Sequence, residues 1–280
     1  MAEKAKKKII IFTDLDGTLL DMDTYSFDEA KDALRIIELV KIPLIICSSK
    51  TRKEIEVYRE RLKNFHPFIS ENGGAVFIPP NYFKRKYFFD RIEKDYKIIE
   101  IGVEYKKLIG IFSELKKNTG LKLRGFSEMK VEEIIKLTGL PEEEAKLAKQ
   151  REYSESFLLV NKNEETVKIL DETAKRMGVT VTEGGRFFNL SIGNDKGKAI
   201  KKLMNIFRRE IGKDTLTLGL GDSMNDLPLL KAVDFPVLIR KKDRSVEWGI
   251  KLKLENVKIS RVPGPAGWDE EVEEFLFKYY

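Results

Sequence analysis

The 280-residue chain is 42% hydrophobic and 10% aromatic, enough to bury the core of one large domain or two of ordinary size. Its 52 basic and 46 acidic residues leave a net charge of +6, but the signs are interspersed, which reads as a solvated, ion-paired surface and excludes a nucleic-acid stripe. No apolar run approaches the roughly 20 residues that span a bilayer, and a single cysteine, Cys47, excludes an internal disulfide and a thiolate metal site.

The opening MAEKAKKK leads straight into a short strand and lacks the apolar region and cleavage site of a signal peptide, so a cytoplasmic location is expected. IIIF is a continuous apolar run suited to a strand buried on both faces, and it feeds FTDLDGTLL. In an extended strand Asp14 and Asp16 point to one side and Leu15 to the other. SFDEAKDALRIIELV has helical spacing, IPLIICS is a second buried strand ending in Cys47, and KTRKEIEVYRERLKNF is another helix. PFISENGGAVFI reads as strand, glycine turn, strand. His66, the single histidine, sits in the turn NFHPF and is not expected to be catalytic.

From about residue 87 to residue 190 the rhythm changes. IIEIGV, KLRGF, ESFLLV, VTVTEG and RFFNLSI are short strands, separated by helical stretches over 105–117, 131–149 and 164–177. The parallel pattern then resumes with a helix that places Ile200, Leu203, Met204 and Phe207 on one face, followed by the strand TLTLGLGD. The expected fold is α/β, a Rossmann-like parallel-sheet core (residues 1–86 and 191–280) with an inserted α+β cap domain (87–190).

Four pieces fall at strand ends or at a helix start, where open parallel sheets bind ligands. They are Asp14-Leu15-Asp16-Gly17-Thr18, Ser48-Ser49-Lys50-Thr51, Gly193 to Lys198, and Gly219 to Asp226. Asp14, Asp16, Asp222 and Asp226 form an all-oxygen anionic set that suits Mg2+ better than zinc. Ser48 offers a hydroxyl to phosphate oxygens, and Lys196 a charge at a helix N-terminus. Anion, metal and nucleophile together point to phosphoryl transfer through a carboxylate.

With these pieces in this order, the chain resembles the haloacid dehalogenase superfamily of phosphatases. The resemblance implies Asp14 as nucleophile and Asp16 as general acid, then base. It implies Ser48 and Lys196 as phosphate clamps, with Lys198 as the alternative to Lys196. Mg2+ is then held by the Asp14 carboxylate, the Asp16 backbone carbonyl and Asp222, with Asp226 as ligand or just behind.

SSKTR, SENGGAVFIP, REYSESF, EGGRFFNL and PGPAGWDEEV further resemble the members of that superfamily that act on mannosyl-3-phosphoglycerate. A small phosphorylated sugar-glycerate is then the expected partner, with no nucleic acid and no membrane. Glucosyl-3-phosphoglycerate or another sugar phosphate is the nearest alternative, and a non-catalytic sugar-phosphate binder the alternative of another class. Ser49, Lys50, Asn72, Arg151, Glu152, Glu155, Gly184, Gly185, Arg186, Asn189 and Asn225 are the expected substrate contacts. Among these Lys50, Arg151 and Arg186, joined by Arg52, are candidates for the glycerate carboxylate, and Glu152 and Glu155 for sugar hydroxyls. Asn189 and Ser156 stand where those enzymes tend to carry His and Pro.

Overall fold

A computed structural model describes residues 7–184 and 187–280. The first half of the core runs β1 (Lys8–Thr13), α1 (Lys31–Val40), β2 (Leu44–Cys47), α2 (Arg52–Arg61), β3 (Phe68–Ser70), β4 (Ala75–Ile78), β5 (Arg91–Glu93) and β6 (Tyr96–Glu100). The middle of the chain comprises α3 (Tyr105–Thr119), β7 (Leu123–Gly125), α4 (Val131–Thr138), α5 (Glu142–Ala148), β8 (Glu155–Leu159), α6 (Glu164–Arg176), β9 (Thr180–Gly184) and β10 (Phe187–Ser191). The core resumes with α7 (Lys196–Ile211), β11 (Thr215–Gly221), α8 (Leu227–Leu230), β12 (Phe235–Arg240), α9 (Trp248–Lys253), β13 (Lys258–Pro263) and α10 (Gly264–Tyr279).

Among the described residues nine strands form one sheet, in the order β13-β12-β11-β1-β2-β3-β4-β6-β5. Its centre is parallel: β1 lies between β11 and β2, and β12, β13 and β3 continue outward. Alternation along β1 divides its side chains between two cores. Ile9 and Ile11 pack on one face with Trp268 and Phe275 of α10, while Ile10 and Phe12 pack on the other with Ile200, Leu203 and Phe207 of α7. This is why IIIF needs no polar position: both sides of the strand are interior. At the end of β1 the buried Trp268 indole donates to Thr13 Oγ1 at 3.0 Å, so α10 fixes the strand just before Asp14.

A second sheet, in the order β7-β8-β10-β9, is antiparallel throughout. Phe157, Leu159, Phe188 and Leu190 face α3 and α6, while Leu158 and Phe187 pack toward α4 and α5. The helical stretch expected over 131–149 is two helices, because Gly139 (φ 77°) closes α4 in the left-handed conformation and Pro141 starts anew.

The change of rhythm expected from residue 87 is placed differently by the hydrogen bonding. β5 and β6 extend the core sheet, with β6 antiparallel to β4. The reason is the hairpin between β3 and β4. It reverses the chain and leaves β4 with an unpaired edge, which β6 then covers. The second sheet begins only at β7, after α3.

That hairpin depends on Gly73, which has φ +90° and lies so close to α7 that an added Cβ would sit 2.3 Å from the Asp195 carbonyl carbon. Gly178, at φ +69°, has nothing within 4 Å of such an atom. Gly178→Ala should therefore cost only the left-handed strain, about 1–2 kcal/mol. Gly73→Ala should cost about 3 kcal/mol or more, because overpacking against backbone is added to that strain. Urea unfolding of the two variants checks the difference, and similar midpoints would contradict it.

Candidate active site

The carboxyl ends of β1 and β11 are neighbours in the sheet, and each carries acidic residues into the same pocket. Asp14, Asp222 and Asp226 are all buried, and each offers a carboxylate oxygen within 4.8 Å of the other two. Gly17 makes this approach possible: its φ is +74°, and a Cβ there would lie 2.9 Å from Asp222 Oδ2. The first turn of α7 inserts Lys196 among them. Its Nζ lies 2.8 Å from Asp14 Oδ1 and 2.6 Å from Asp226 Oδ1, and its side chain is fully buried. Asp226 also caps its own loop, since Oδ2 accepts the backbone N–H groups of Asp222 and Ser223.

Burial pushes the Asp14 carboxyl well above the usual range, helped by the charges of Asp226 and Asp222 and opposed by Lys196. Burial and Asp226 likewise push Asp222 up to about 7. Lys196 stays an ammonium, because Asp14 and Asp226 outweigh the cost of burying it. With all three carboxylates ionised, one ammonium against them leaves two negative charges in a buried, all-oxygen pocket. The donor chemistry and the charge both fit one hard divalent cation.

Ser48 follows β2 and is buried. Its Oγ accepts from Lys50 N at 3.2 Å, and its carbonyl accepts from Asn72 N at 2.9 Å. Asn225 Nδ2 reaches Asn72 Oδ1 at 3.4 Å, so the turns after β3 and β11 meet beside it. The Lys50 ammonium lies 3.1 Å from Asp16 Oδ1. Lys198 is exposed, and its backbone N–H serves the Asp195 cap of α7. His66 precedes β3, at the opposite end of the sheet, where burial pushes its imidazole down to about 4.

Several side chains expected to meet substrate already have protein partners. Arg52 binds Glu152 at 2.6 Å and Glu93 at 2.8 Å. Glu155 is fully buried and accepts from Tyr105 Oη and from Ser127 N and Oγ. Arg151 donates to Ser49 O at 3.0 Å and Ser154 Oγ at 3.1 Å, and lies 3.6 Å from Glu71 Oε2. Asn189 and Ser156 face each other across β10 and β8 and share a 2.6 Å hydrogen bond. Gly184 ends β9; Gly185 and Arg186 lie outside the described residues.

Glu71 was not singled out by the sequence reading. It is fully buried, at φ +48°, in the turn of SENGG. Its carboxylate accepts from Glu152 N, Tyr153 N and Ser154 Oγ at 2.8, 3.1 and 2.6 Å, which ties the segment leading into β8 to the core. A carboxylate within a glycine turn at a buried strand's end was the available signal.

A family model described as haloacid dehalogenase-like hydrolase matches residues 11–247. A glucosyl-3-phosphoglycerate/mannosyl-3-phosphoglycerate phosphatase of Methanococcoides burtonii is 44% identical over 97% of this chain and 98% of its own. A mannosyl-3-phosphoglycerate phosphatase of Pyrococcus furiosus is 38% identical over 82% of this chain and 90% of its own. A crystal structure from Thermoplasma acidophilum has the same fold, with a TM-score of 0.68 at 18% identity over 97% and 99% of the two chains. Among the described residues no helix is long and apolar enough to cross a membrane.

The cluster's charge predicts a coupling between metal and pH. The folded-state value of Asp222 lies above its unfolded one, so its contribution to stability is present at low pH and lost as pH rises through about 7. A divalent cation relieves the repulsion that then appears, and below that pH it must displace a proton. The rise in melting temperature on adding Mg2+ should therefore be larger at pH 8 than at pH 5.5. Thermal scans with Mg2+ and with EDTA test this, and a shift independent of pH would contradict it.

Proposed function

The chain belongs to the haloacid dehalogenase-like hydrolases, and we propose that it hydrolyses glycosyl-3-phosphoglycerates, mannosyl- and glucosyl- alike, to the glycosylglycerate and phosphate. The observation that carries the substrate is the end-to-end match to a phosphatase named for both compounds. The reaction is the cleavage of a phosphoric monoester.

In this reading Asp14 is the nucleophile. The Lys196 ammonium at 2.8 Å favours its ionised form, against burial and the neighbouring carboxylates, which push its pKa up. The bond from Asp14 to phosphorus forms as the ester P–O bond breaks, and Asp16 gives a proton to the departing alcohol. Water then attacks the aspartyl-phosphate, Asp16 takes its proton, and inorganic phosphate leaves. Ser48 and Lys196 hold the phosphate oxygens. Mg2+, held by Asp14, the Asp16 backbone carbonyl and Asp222 with Asp226 beside them, would offset the negative charge that phosphate brings. Asn72 and Asn225, which meet beside Ser48, are proposed as polar contacts to substrate.

The cap supplies the choice of leaving group. Ser156 and Asn189, bonded to each other on facing strands, are proposed to read the sugar as one polar pair. Arg151 is read here as a brace for the phosphate loop, because its guanidinium is already bound to Ser49 O, Ser154 and Glu71.

Phosphate release from mannosyl- and glucosyl-3-phosphoglycerate with Mg2+ tests the substrate. Turnover of neither, beside turnover of a simple aryl phosphate, would overturn it. Turnover of nothing would favour a protein that binds sugar phosphates without catalysis. Asp14→Asn should keep the melting temperature near that of the parent and lower kcat by about a thousandfold or more, since an amide cannot replace the nucleophile. A loss within about tenfold would remove Asp14 from that role. Arg151→Ala should lower kcat/KM on the natural ester and on a small aryl phosphate alike. A loss confined to the ester would instead make it a reader of the glycerate.

A further inference from the structure

The side chain given both proton transfers has very little holding it. The Asp16 backbone is fixed, since the turn through Gly17 bonds back at Leu20. Its carboxylate is another matter. Side-chain exposure is 27%, Oδ1 is buried, and no aligned hydrogen bond reaches that oxygen among the described residues. Within the same residues its one close partner is Lys50, whose ammonium lies 3.1 Å from Oδ1.

Lys50 is confined far more tightly than the acid it faces. It is 8% exposed and lies over the rings of Tyr25 and Tyr58, 4.9 and 5.4 Å from their centroids. Such aromatic faces attract an ammonium and restrict its stem. Its second carboxylate, Glu54, is 4.0 Å away and is occupied by the cap of α2, where it accepts Thr51 N at 2.8 Å. A buried cation whose near neighbour is the proton-transfer residue is poorly placed to leave it for a substrate carboxylate.

We propose that Lys50 is the positioning residue of the proton shuttle: caged by Tyr25 and Tyr58, it holds the Asp16 carboxylate toward the leaving oxygen. The proposal rests on the reading of Asp16 as general acid. It replaces the expected role of Lys50 as a substrate contact. It also gives the residue after Ser48-Ser49 a reason to be long, cationic and buried.

The test uses kcat/KM, which covers the steps up to release of the alcohol, on a glycosyl-3-phosphoglycerate and on an aryl phosphate with an acidic phenol. Only the first needs a proton from Asp16. Lys50→Met should lower kcat/KM for the ester by about tenfold or more and for the aryl phosphate by less than about threefold. In an Asp16→Asn background the same substitution should add nothing, because the group it positions is gone. Equal losses on both substrates would overturn the proposal, since they mark a structural or phosphate-binding role. So would losses that multiply in the double variant. If Asp16→Asn alone lowers both substrates equally, the acid itself is misassigned and the proposal falls with it, a result distinct from the first. Should Lys50→Met not fold, Lys50→Arg keeps the charge while displacing its head, and must show the same preference for the aryl phosphate. Equal effects there would overturn the proposal as well.

Discussion

The ammonium of Lys196, wedged between Asp14 and Asp226, is the contact on which the arrangement of this site turns. Two adjacent parallel strands end in carboxylates, and the sheet brings those ends together whether or not the charges agree. Buried like charges either take up protons or recruit a counter-charge. Here α7 delivers one from far along the chain, 182 residues beyond Asp14 and 30 before Asp226. Removing that cation would leave Asp14 and Asp226 buried without a counter-charge, a change that typically costs about 3–5 kcal/mol. One ion pair thus closes the second half of the core onto the first. It also leaves an excess of negative charge that a divalent cation can balance.

Packing directs this chemistry as much as charge does. β1 is apolar on both faces because α10 and α7 cover it from opposite sides. The Trp268 indole reaches Thr13 from one side, and Lys196 reaches Asp14 from the other. The proposed nucleophile therefore emerges from a strand immobilised at the preceding residue. Such rigidity is what a covalent step needs, since attack requires the oxygen at near-bonding distance and in line.

Much of this was legible in the sequence, and the limits have physical reasons. Continuous apolar runs such as IIIF and LIIC mark strands buried on both faces, and the acidic and glycine-rich turns that follow them are local features. The edges of the core sheet are not local. β5 and β6 join it because the hairpin at Gly73 leaves β4 an open edge, and nothing inside IIEIGV announces that partner. Charged side chains were the other limit. A sequence shows that Lys50, Arg52, Arg151, Glu152 and Glu155 exist, but pairing is decided in three dimensions, and each has found a protein partner. Ser156 and Asn189 make the same point in miniature. Read singly they are two unrelated departures; on facing strands they are one hydrogen-bonded unit.

In the proposed reading, the loop after β2 shows why leaving-group choice and phosphate grip would be hard to separate in this molecule. From the core side it is held by Ser48 N on Ile69 O and by Asn72 N on Ser48 O. From the other side Arg151 donates to Ser49 O and Thr51 Oγ1 donates to Leu147 O, at the end of α5. Two of the loop's restraints therefore come from the inserted region. That region is itself tied back through Glu71, a fully buried carboxylate that burial pushes toward protonation and that Arg151 and three donors oppose. Hydrogen bonds to a charged group contribute about 1.5–3 kcal/mol each, and a buried carboxylate stripped of them must find water or a proton. Moving the inserted sheet away from the core would thus cost Glu71 its donors and Ser49 its guanidinium in the same step. If the cap selects the leaving group as proposed, the position that suits it is, by that coupling, also the one in which the loop after β2 has all its restraints.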